Sequence, residues 1–135
     1  MGDDQLDTIG RLVEKAEHDL LTSETMMGLP RPPLEIVCFH CQQCAEKYLK
    51  TFLVSEGVDF PKTHDLRRLV DLCAGRCARF RELDEAALGL AGYAVGIRYG
   101  EDWRDIGLGE AREALQHASS IRMFVRSRLP RTITS

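Results

Sequence analysis

The sequence has little of what a membrane, secreted or strongly basic protein depends on. No uninterrupted apolar run approaches the roughly 18–20 residues of a membrane-spanning helix, which argues against an integral membrane protein. Positive charge is not in excess. Eighteen basic residues face twenty-one acidic ones, for a net charge of −3. Binding to nucleic acid through an overall positive field is therefore disfavoured, although a local basic patch stays open. The opening stretch, Met1 to Asp7, is acidic where a leader would be basic and then apolar. Five cysteines, an odd number, do not make a secreted disulfide framework. Together these features predict a cytoplasmic protein with reduced thiols. There is no glycine-rich loop to cradle a phosphate and no legible nucleophile–base pair, and no cofactor is expected.

Prolines are also few, five in all, and four of them fall in the breaks of the pattern. Gly28 to Pro33 is one break, Gly57 to Thr63 a second, Gly100 to Gly109 a third, and Gly75 to Arg79 a softer one. Between them the apolar period is helical. Leu6, Ile9, Val13, Ala16, Leu20 and Met27 make a first stripe, with Ser23 filling one step. Val37, Cys41, Cys44, Tyr48 and Phe52 make a second, opened by Pro33 and stopped near Gly57. Phe39, Ala45, Leu49 and Leu53 widen that face, so this helix is expected to be the most buried. A shorter helix, capped by Thr63, turns Leu66, Leu69, Val70 and Cys73 inward. Phe80, Leu83, Ala87, Leu90, Ala94 and Ile97 form a fourth stripe, and Ala111, Ala114, Ala118, Ile121 and Val125 a fifth. No window alternates in the manner of a strand. The expectation is an all-α, up-and-down antiparallel bundle of four long helices and one short one, in a single domain over residues 1–135.

Cys38, Cys41 and Cys44 are spaced like an iron–sulfur run, with Cys73 and Cys77 further on. Their spacers are compatible with continuous helix, on which successive i+3 steps fan the thiols apart by roughly 60° each. Core packing is the better account of them, and no metal site is expected. The polar ridge beside them is more informative. His40, Gln43, Lys47 and Lys50 line one face at three-four-three spacing, flanked by Gln42 and Glu46. Its plain interpretation is a solvated face with Gln42–Glu46 and Glu46–Lys50 pairs at i,i+4. Adjacent glutamines on a heavily buried helix also suit contact with another helix or a ligand.

The stretch Phe39 to Lys50 resembles the signature helix of HEPN domains, the higher eukaryotes and prokaryotes nucleotide-binding domains. Thr63-His64-Asp65-Leu66 resembles the family's second block, and Arg98-Tyr99 its Arg-Tyr-Pro block, with Gly100 in place of the proline. The resemblance implies a helical bundle and a homodimer. It also implies a minimal nucleotidyltransferase as partner in a toxin–antitoxin-like pair, and a nucleotide or RNA as ligand. The candidate ligand-binding residues are His40, Gln43, Lys47, His64, Arg98 and Tyr99.

Ribonuclease members of the family resemble one another in an Arg-x4–6-His motif, often followed by x-Tyr. Arg112 to His117 fits that spacing, with Ser119 at the tyrosine position and the acidic Glu113 after the arginine. Arg11 and His18 fit it too, as expected of a chain rich in arginine. An i,i+5 pair on an unbroken helix points roughly 140° apart. A metal-independent ribonuclease using Arg112 and His117 is thus the alternative to a binding module, and a structural adaptor without ligand is a third. His64 suits a helix-start position or a general base. Arg122, Arg126, Arg128 and Arg131 suit the C-terminal helix dipole or a phosphate-tracking edge. Gly89, Gly92 and Gly96 suit a close helix approach, within the chain or across a dimer.

Overall fold

A computed structural model describes residues 1–94 and 105–130. Among the described residues five α-helices follow one another: α1 (Asp3–Met27), α2 (Leu34–Ser55), α3 (Leu66–Ala74), α4 (Asp84–Leu90) and α5 (Leu108–Arg126). There is no strand among the described residues. Asp3 and Asp4 place negative charge in the first turn of α1, where it complements the helix dipole. Pro33 stands one position ahead of α2, and its carbonyl accepts from the amides of Ile36 and Val37. Gly57 ends α2 because the next turn requires a positive φ of 68°. In that conformation the Gly57 amide reaches the Val54 carbonyl at 3.0 Å and the Val58 amide reaches Leu53 at 2.9 Å. This is a Schellman closure.

Helix α2 is the centre of the molecule, with α1, α3 and α5 packed around it. Its Val37, Cys38, Cys41, Cys44, Ala45, Tyr48, Leu49 and Leu53 are fully buried. The other stripes close over them: Ile9, Ala16 and Leu20 from α1, Leu66, Leu69, Val70 and Cys73 from α3, and Ala111, Ala118, Ile121 and Val125 from α5. The fit of these stripes is what a 3.6-residue period demands of helices that share one core.

Three expectations are corrected in detail. Leu6 is 40% exposed, because the start of α1 runs past the core. The cap of α3 is Asp65, whose carboxylate accepts from the Arg67 and Arg68 amides, while the Thr63 hydroxyl accepts from the Asp65 amide one turn earlier. The fourth stripe is helical but changes pitch: 3-10 turns at Ala78–Leu83 and Ala91–Tyr93 flank the short α4. Phe80, Leu83, Ala87 and Leu90 still face inward. Gly89 and Gly92 lower the α-helical propensity of that segment, and Gly96 and Ile97 lie outside the described residues.

Candidate functional site

The polar ridge of α2 meets α1 at Asp19, a residue buried between Ala16, Leu20 and Ser23 on the inward edge of α1. His40 donates from Nδ1 to Asp19 Oδ1 at 2.7 Å, and Lys47 Nζ donates to Asp19 Oδ2 at 2.6 Å. One carboxylate thus holds two of the expected ligand-binding side chains. Gln43 joins them: its Oε1 lies 3.4 Å from Lys47 Nζ, and its Nε2 donates to Gln42 Oε1 at 2.7 Å. The His40 and Lys47 side chains stay 29% and 20% exposed, so their outer edges remain reachable from solvent.

From Gln42 the network turns inward. Gln42 is fully buried and donates to Glu46 Oε1 at 3.3 Å and to the His64 carbonyl at 3.1 Å. Glu46, itself almost fully buried, accepts from His64 Nδ1 at 2.9 Å and from Lys50 Nζ at 3.0 Å. Lys50 also stands over the Phe60 ring, 5.9 Å from its centroid. Burial pushes the Glu46 carboxyl up, but the bonds from His64, Lys50 and Gln42 together hold it below the ordinary carboxylate range. The two i,i+4 pairs expected on this face are therefore present, and they do more than decorate it. They clamp the connection before α3 onto α2. His64 belongs to that clamp, with its ring 62% exposed. Leaving Gln42 or Glu46 without partners would cost roughly 1–3 kcal/mol.

Sequence reasoning identified the ridge and missed its counter-charge. The available signal was an aspartate at position 19, on the inward edge of an otherwise apolar stripe. A second such acid is Glu17, which accepts from Arg122 Nε at 2.7 Å and Nη2 at 2.8 Å and from the Tyr48 hydroxyl. Arg126 donates to the Tyr48 oxygen at 3.1 Å. The Arg122 bond holds the Glu17 carboxyl below its usual range against the opposing effect of burial. Burial, reinforced by Glu17, raises the Tyr48 phenol to about 12. Two of the four C-terminal arginines are thus tied to this internal pair. Arg128 stacks 4.8 Å from the centroid of Phe124, and Arg131 lies outside the described residues.

His117 stands elsewhere, between α4 and α5. It lines a cleft of about 320 Å³ with Gly89, Gly92, Tyr93, Glu110, Glu113 and Ala114. A side chain at Gly89 would put its Cβ 2.5 Å from His117 Nε2, so that glycine is what lets the ring lie down against α4. Glu113 Oε1 is 3.8 Å from the same nitrogen, and Tyr93 donates to Glu110. Arg112 is exposed and does not line this cleft. Arg98 and Tyr99 lie outside the described residues. Among those described, no group of three or more His, Cys, Asp or Glu is placed to hold a metal. Cys38, Cys41, Cys44 and Cys73 are buried and form no disulfide, and burial raises the Cys41 and Cys73 thiols to about 12.

The model of the HEPN domain family matches residues 9–128, nearly all of the chain. This chain belongs to the HEPN domain family. The solved structure of ST0689, an archaeal HEPN homologue, is similar to it with a TM-score of 0.69 and 22% identity, over 89% of this chain and 96% of that one. That likeness concerns the fold. No match was found among curated proteins.

The HEPN ridge and the Arg-x4-His pair are thus separate features of this chain. The ridge is a connected patch spanning α1, α2 and the start of α3. The cleft at His117 is lined by two glutamates and a tyrosine, and carboxylates there oppose a phosphate.

Proposed function

We propose that this HEPN domain is a binding module for a nucleotide or an RNA. It works as a homodimer and pairs with a minimal nucleotidyltransferase in a toxin–antitoxin-like unit. The whole chain, residues 1–135, acts as the one domain. The ligand site is the patch of His40, Gln43 and Lys47, with His64 beside it and Arg98 and Tyr99 as further contacts.

One observation carries this reading. Three side chains suited to phosphate and base edges converge around Asp19, held in place yet with outer edges open to solvent. An amide offers a donor and an acceptor to a base edge, while an imidazole and an ammonium suit a phosphate. Family membership adds that such a bundle is a HEPN module. Against cleavage by Arg112 and His117 stand the exposure of Arg112 away from the cleft and the acidic neighbours of His117.

The test is fluorescence anisotropy with a labelled single-stranded RNA and with ATP. Lys47→Met is expected to weaken binding about tenfold, the scale of one charge-assisted contact. Gln43→Ala is expected to weaken it less, and His117→Ala to leave it unchanged. Purified protein that cleaves RNA without added metal, and loses that activity in His117→Ala, would overturn the binding reading in favour of the ribonuclease.

A further inference from the structure

The carboxylate of Asp19 takes up the donors that the proposed site would offer to an anion. It takes His40 Nδ1 at 2.7 Å and Lys47 Nζ at 2.6 Å, the arrangement two donors make around one phosphate edge. We propose that Asp19 is a resident competitor, an internal anion that keeps the His40–Lys47 donors occupied until a ligand displaces it.

The proposal rests on the reading of this patch as a ligand site, and adds how the site is held closed. Asp19 comes from α1 and the two donors from α2, so the contact bridges two elements. Lysine has three N–H donors. One is on Asp19 and a second leans toward Gln43 at a long 3.4 Å, which leaves one for an incoming oxygen. On His40 the Nδ1–H is taken by Asp19, and in a neutral ring the outer Nε2 is an acceptor, so the donor open to an anion is on Lys47. The charges cancel as well. Lys47 is neutralised by Asp19, so with a neutral imidazole the three groups carry no net charge, and an anion approaching them meets the aspartate's repulsion together with the lysine's attraction. The donors are partly open while Asp19 is almost fully covered. A ligand therefore reaches Lys47 from outside while the competitor holds both donors from within.

The probe is inorganic phosphate, titrated into the full chain and followed by NMR at the His40 ring and the Lys47 side chain. Wild type is expected to bind weakly. Asp19→Asn keeps the size and removes the charge, and it is expected to bind about tenfold more tightly. Adding Lys47→Met to that variant should abolish the gain. Asp19→Ser serves as a second uncharged variant, with thermal melts verifying that each remains folded. In the wild type itself, phosphate should speed amide exchange around Asp19 as the contact loosens, a readout that needs no variant. Wild type that binds at these resonances, with no gain in either Asp19 variant and no change in exchange, would overturn the competitor while leaving the patch as a site. Absence of binding by the wild type and by every variant would overturn both.

Discussion

At Gly89 a single hydrogen decides how α4 and α5 approach each other. The His117 ring occupies the space a Cβ would need, and its outer end can swing, since the side chain is 19% exposed. Gly89→Ala therefore sets a gain in helical propensity of about 1 kcal/mol against displacement of the ring. The expected net change in stability is below about 1 kcal/mol, with shifted His117 ring resonances. Combined with His117→Ala, the same substitution should stabilise by about 0.5–1 kcal/mol, because the clash is gone and only the propensity remains. Denaturant melts of the four variants of the cycle measure this directly. The cysteines give a second test at this scale. Buried thiols with raised pKa values present little thiolate. A thiol reagent at neutral pH should label the half-buried Cys77 first, and Cys38, Cys41, Cys44 and Cys73 only as fast as the chain unfolds. Prompt labelling of all five would contradict the described packing.

Among the elements, α1, α2 and α5 are joined by the Glu17–Arg122 pair and the Tyr48 hydroxyl as well as by apolar contact. The folded Glu17 carboxyl titrates below its ordinary value of 4.5. Its contribution to stability is therefore complete above that value and is lost as pH falls through the depressed folded pKa. Glu46 acts in the same direction. Stability is expected to decline below about pH 4.5, and Arg122→Ala should flatten part of that slope. The pair is about one-third exposed, so solvent screening limits the cost of Arg122→Ala near neutral pH to about 1 kcal/mol. Urea melts across pH 3 to 7 would show both effects, and an unchanged slope in the variant would assign the acid sensitivity elsewhere. These partnerships explain why the site was only half legible. The i,i+4 pairs of α2 can be read from spacing, since both members share one helix. Asp19 with Lys47 and Glu17 with Arg122 are separated by 28 and 105 residues, and no local period relates them.

For the molecule as a whole, the described helices bury one shared core and leave several large apolar side chains outside it. Leu21, Leu88 and Met123 are each more than 60% exposed. Such surface is consistent with the proposed homodimer. Sedimentation at about tens of micromolar should show a dimer, and a stable monomer there would remove that part of the proposal. No described helix is long and apolar enough to cross a membrane.

What the sequence determined by itself is the helical class, the order of the helices and the inward faces of α2, α3 and α5. Those follow from a period of 3.6 residues and from breakers such as Pro33 and Gly57, which act within a few residues of themselves. The HEPN resemblance was legible for the same reason, since its first block lies along one helix. Only the tertiary structure decided that Asp19 faces His40 and Lys47 and that Gly89 seats His117. Each of these depends on how one helix lies against another. That geometry is set by the packing of the whole core, and no stretch of sequence contains it alone.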